Sequence, residues 1–82
     1  MFVVQSVLLD KSVYRTRADA SRWVSLHSYK KNIHPDPNPE SLNLWRFRQR
    51  QPSQFIQGTF RYIEHKDKGV AFVVGKLKQR FT

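Results

Sequence analysis

The chain has 82 residues, 39% of them hydrophobic and 13% aromatic, with 15 Lys and Arg against six Asp and Glu for a formal charge of +9 and a pI of about 10.5. A chain this short buries only roughly 60–65% of the surface it exposes when unfolded, so it holds one core and is read as a single domain over residues 1–82. The absence of cysteine excludes a disulfide framework and a thiolate metal site, and no apolar run approaches the ~18 residues of a membrane span.

Residues 2–9, FVVQSVLL, are an apolar run of strand length rich in β-branched residues and ended by Asp10 and Lys11. They predict a buried first strand. The same residues superficially resemble a signal h-region, but no basic segment precedes them, Gln5 and Ser6 interrupt them, and no small-residue cleavage site follows. The period then changes. Thr16 or Ser12 is placed to cap a helix, Asp19 stands three residues after Thr16, and Ala20, Trp23, Val24 and His27 recur at i, i+3, i+4 and i+7. This predicts a helix from about Arg17 to Ser28, laid on the sheet by Trp23.

Asn32 to Ser41 holds three of the four prolines and is expected to be a connecting loop. Leu42 to Phe55 follows, LNLWRFRQRQPSQF, with Arg46, Arg48 and Arg50 at period two among Trp45, Phe47 and Phe55. An extended backbone from Leu42 to Arg50 sends the rings to one face and the guanidinium groups to the other. A turn is expected at Gln51 to Ser53, and a short helical turn or irregular crossover over Gln54 to Gly58.

Phe60 to Glu64 and Val70 to Leu77 alternate and flank HKDKG, where Asp67 and Gly69 supply turn chemistry, so they predict a hairpin. Gly75 marks a bulge or a close backbone approach. Lys76, Lys78 and Arg80 extend the last strand as a second basic stripe. The result is an α+β domain of order β-α-β-β-β, one helix packed on a small, mostly antiparallel sheet.

Ala20, Trp23 and His27 in a helix, then WRFRQRQPSQF, then Phe60-Arg61, then GVAFVVGKLK, together resemble a small domain of tailed-phage head-region proteins and large double-stranded DNA viruses. The resemblance runs from about Gln5 to Lys78 and is most specific over Arg46 to Phe55. In phages that domain occurs alone or attached to proteins of the head-gene region, such as prohead-protease-like polypeptides, and it carries no settled activity. The resemblance implies a viral origin. The chain departs from the pattern at Ser28, where the domain tends to have glycine, and in the proline-rich loop, which replaces a shorter acidic link.

Candidate catalytic groups are His27, His34 and His65 with Asp10, Asp19, Asp36, Glu40, Glu64 and Asp67. No HxxxH or HxxE relation joins the histidines, and there is no GxSxG element or phosphate-cradling glycine loop. A metal site would need the histidines to converge by chance, His27 fits a core or boundary position, and neither enzyme activity nor a cofactor is expected. The charge instead suggests an anionic partner, because a strong cationic excess repels itself in a small domain.

The expected contacts are Arg46, Arg48, Arg50, Arg61, Lys76, Lys78 and Arg80, meeting nucleic-acid phosphates without sequence preference. Against this stands the reading that arginines at period two are only the solvated face of an amphipathic sheet. Trp45, opposite the arginines, reads as core rather than as a base-stacking platform, and Arg15, Arg17 and Arg22 as a solvated helix face rather than a recognition helix. The alternative function is a virion structural or interaction module docking on an acidic capsid or host protein surface. The expected state is monomer or homodimer, within the host cell or a virion, with no membrane contact.

Overall fold

The structure is a computed structural model that describes residues 1–31 and 43–82. The proline-rich loop, with His34, Asp36 and Glu40, and Leu42 lie outside the described residues. The elements are β1 (Phe2–Asp10), α1 (Arg17–Leu26), β2 (Leu44–Arg48), β3 (Arg61–Glu64) and β4 (Val70–Lys76), with 3-10 turns at Pro52–Gln54 and Gln79–Phe81. The fold is α+β, one helix against a four-stranded antiparallel sheet of order β2-β1-β4-β3.

β1 is central because its apolar run has partners on both sides. Val7 stands opposite Phe47 and Phe72, and Leu9 opposite Trp45 and Val70. These residues share one face, and Ala20, Trp23 and Val24 of α1 close over it. Phe47, Val7, Leu9 and Val24 are fully buried, each contributing on the order of 1.5–3 kcal/mol by burial.

The helix starts where Thr16 Oγ1 accepts a hydrogen bond from the Asp19 amide at 3.1 Å. It stops two residues earlier than its period predicts. His27 is the C-cap, the Ser28 amide donates to Ser25 O (3.1 Å), and the Tyr29 amide donates to Val24 O (2.9 Å). This paired closure needs a left-handed residue, and Ser28 supplies it with φ 64°.

Phe55 is not on the face of Trp45 and Phe47. By alternation Gly75 lies on the sheet face away from α1, and Phe55 covers it: a Cβ built on Gly75 would lie 2.9 Å from Phe55 Cδ1. Gly75 is thus a close approach and not a bulge. The bulge is in β1, where the register with β4 shifts between Val4 and Ser6. Helical turn formation falls at Pro52–Gln54, before the expected crossover, because Pro52 sets a helical φ at the first position.

Candidate nucleic-acid interface

The antiparallel order brings the start of β1, the end of β2, the end of β4 and the start of β3 to one end of the sheet. Phe2 stands opposite Lys76, Ser6 opposite Arg48, and Arg61 opposite Val74. The bulged Gln5 fixes this end. Its carbonyl accepts from the Gln49 amide at 2.8 Å, and its Nε2 donates to Arg50 O at 2.9 Å. Its Oε1 accepts from Ser6 Oγ at 2.7 Å, so a fully buried amide has both its side-chain polar atoms engaged.

The exits of β2 and β4 are tied together. Arg50 Nη1 donates to Gln54 Oε1 (3.1 Å), and the Lys78 amide donates to Gln54 O (2.8 Å). Lys30 reaches the same end because Gln49 holds it from both sides, accepting from its amide at 2.7 Å and donating to its carbonyl at 2.9 Å. A cleft here is lined by Val3, Val4 and Tyr29 with Lys30, Arg50 and Gln54. Phe2 stands between two cations, 4.8 Å from the Arg61 guanidinium carbon and 5.5 Å from Lys76 Nζ.

The acidic side chains of the described residues lie at the other end. Asp10 ends β1, Glu64 ends β3, Asp67 is in the β3–β4 turn, and Asp19 is in the first turn of α1. The acidic side chains are therefore segregated along the strand direction, while cations stand at both ends. Lys11, Arg15, Arg17, Arg22, Lys66 and Lys68 accompany the acids, whereas Arg48, Arg50, Arg61, Lys76, Lys78 and Arg80 have no ion pair with an acidic side chain among the described residues.

The seven expected contacts are gathered differently from the two stripes that their period suggested. Arg46 and Arg48 lie on the face away from α1, with Arg46 Nε 3.4 Å from Ser6 Oγ. Arg61 and Lys76, opposite Val74 and Phe2, lie by alternation on the helix face. The last strand does not continue the stripe: β4 ends at Lys76, and Arg80 sits in the 3-10 turn with its guanidinium 4.9 Å from the Phe81 ring. β1 and β4 separate β2 from β3, so Arg46 and Arg61 occupy opposite edges. Six of the seven share an end; Arg46, one turn of the pleat further in, is at its margin. The Nε of Arg48 is buried with no hydrogen-bond partner among the described residues.

Sequence reasoning missed a second cluster at the acidic end. The ring of His27 stacks on Trp23 (centroids 3.8 Å), and its Nδ1 donates to Trp23 O at 2.8 Å. The centroid of His65 is 5.3 Å from that of Trp23 and 6.1 Å from that of His27. Asp67 Oδ2 accepts from Trp23 Nε1 at 2.9 Å, with His65 Nδ1 at 3.8 Å and His27 Nε2 at 3.9 Å. His27 and His65 converge on a carboxylate. No group of three or more His, Cys, Asp or Glu side chains among the described residues is placed to hold a metal ion.

Burial raises the Tyr14 hydroxyl above the usual tyrosine pKa, with the charge of Asp67 adding to the shift. No helix of the described residues is long and apolar enough to cross a membrane. No known protein family, no curated protein and no solved structure matches the chain.

Proposed function

We propose that the domain is a small non-catalytic binding module that holds nucleic acid through the phosphate backbone at its cationic end. The observation that supports this most is where the acids are missing: Arg48, Arg50, Arg61, Lys76, Lys78 and Arg80 lie at one end of the sheet, on both of its faces, and that end has no acidic side chain among the described residues. Like charges held together without counterions repel, and a polyanion relieves that cost by exchanging its condensed cations for the protein's. The exposed ring of Phe2 and the apolar floor of Val3, Val4 and Tyr29 add surfaces on which an unpaired base can rest.

Anisotropy titrations with random duplex and single-stranded DNA at two salt concentrations test this. Micromolar binding at ~50 mM salt is expected, with log affinity falling against log salt by about 0.9 per phosphate contacted on duplex and about 0.7 on a single strand. No binding at ~50 mM salt to either DNA would overturn the proposal.

A second reading, a virion structural or interaction module, uses the same end against an acidic capsid or host protein surface. The fully exposed strand β3 favours it, since such an edge accepts a partner's strand. Both readings fit the interior of an infected cell or a virion, which the resemblance implies. A flat DNA titration would move the assignment to this second reading.

A further inference from the structure

Among the described residues, β3 is the one strand whose four residues are all exposed, and it forms an edge of the sheet. Its apolar side chains are not small: Tyr62 is 61% and Ile63 47% exposed, and Phe60 and Ile56 beside them are exposed as well. The His65 amide donates to Val70 O at 2.9 Å, and Ile63 and Arg61 stand two and four positions from His65 in the same ladder. Antiparallel alternation therefore turns the amides and carbonyls of Arg61, Ile63 and His65 inward to β4 and those of Tyr62 and Glu64 outward. An edge of this kind is a template for another strand.

We propose that this edge pairs antiparallel with β3 of a second copy of the chain, about a two-fold axis normal to the sheet at Ile63, to give one continuous eight-stranded sheet. In this register Tyr62 of each copy stands opposite Glu64 of the other, and both carry outward backbone groups, so each pair closes two hydrogen bonds. Ile63 meets its own counterpart on the helix side, at the closer spacing of a non-hydrogen-bonded pair.

The two-fold register makes this edge its own complement, and charge sets the orientation of the pair. Along β3 the cationic end begins at Arg61 and the acidic end finishes at Glu64. Antiparallel pairing sets the Arg61 end of each copy beside the β3–β4 turn of the other, where Glu64 and Asp67 offset Lys66 and Lys68, whereas parallel pairing would set the two cationic ends side by side. The inference shares Arg61 with the nucleic-acid reading, but it needs no DNA and is tested without it.

Sedimentation equilibrium of the full chain without nucleic acid is expected to give a mass that rises from one chain toward two with concentration. Exchange protection of the Tyr62 and Glu64 amides should rise with it. Ile63→Lys places two ammonium groups together at the axis and should raise the dissociation constant by about tenfold or more. Because that change also touches the β3–β4 pair, Glu64→Pro serves as a second variant. It removes an outward amide that the β4 ladder does not use, so the monomer keeps its fold while the dimer loses its paired bonds. A mass of one chain at every concentration, or dimerisation unchanged in both variants, would overturn the proposal.

Discussion

Trp23 Nε1 donates a 2.9 Å hydrogen bond to Oδ2 of Asp67, joining residues 44 positions apart. The indole is 8% exposed and forms the contact between α1 and the sheet, so this bond fastens the helix to the β3–β4 turn.

Asp67→Ala should leave the nearly buried indole N–H without an acceptor and lower stability by about 1–3 kcal/mol. Trp23→Ala should cost more, about 3–5 kcal/mol, which is comparable to the stability expected of so small a domain. Urea denaturation followed by circular dichroism checks both. If Asp67→Ala matched the parent, the bond would not be holding the helix.

The Ser28 prediction has the opposite sign. A non-glycine residue in the left-handed region costs about 1–2 kcal/mol, part of which glycine returns through its own chain entropy. Ser28→Gly should therefore raise the unfolding free energy by roughly 0.5–1 kcal/mol, read as a higher denaturation midpoint at unchanged slope, because Ser28 holds φ 64° to close the helix.

Element types were legible because their periods were unambiguous. Val7 and Leu9 in an apolar run, Ala20, Trp23 and Val24 at helical spacing, and Phe47 alternating with Arg46 and Arg48 all have one physical reading, and the structure has them so. Period alone does not carry strand order. Arg61 and Lys76 fall on the helix face while Arg46 and Arg48 do not, since the faces are set by register across β1 and β4. Phe55 keeps the parity of Phe47 in sequence, but the 3-10 turn at Pro52–Gln54 resets the count and sends its ring to the other side. The convergence of His27, His65 and Asp67 left no sequence signal, because it depends on a contact between α1 and a turn some forty residues later.

Gly75→Ala should destabilise by about 1–3 kcal/mol through overpacking. Its Cβ would meet Phe55 Cδ1 at 2.9 Å and Phe60 Cδ1 at 3.2 Å, and Phe55 is almost wholly buried and cannot swing clear. The companion Phe55→Leu should relieve part of that loss, so the pair is less than additive in a denaturation cycle.

Asp10 gives a pH prediction. Its Oδ1 accepts from Ser12 Oγ at 2.7 Å and from the Ser12 amide at 2.8 Å, and these bonds, the hydroxyl foremost, hold its carboxyl below the usual aspartate pKa. The unfolded chain therefore takes up this proton first as pH falls. The stabilisation is present above the ordinary aspartate value and disappears as pH drops through the lowered folded value. Ser12→Ala should make stability less steep in that acid range and leave its slope near neutrality unchanged, as measured by urea melts across the two ranges.

The cationic end yields the most direct test of contact against solvated face. Arg50 and Lys78 are held together there through Gln54, whereas Arg22 sits on α1, 3.7 Å from Asp19. Every phosphate that a variant no longer neutralises should lower the salt slope on duplex DNA by about 0.9, so Arg50→Ala with Lys78→Ala should lower it by about 1.8. Arg22→Ala changes the net charge but takes away no cation that meets a phosphate, so its slope should match that of the parent. If all three positions lowered the slope equally, binding would follow net charge rather than the gathered end, and the surface drawn by the strand registers would not be the one the phosphates meet.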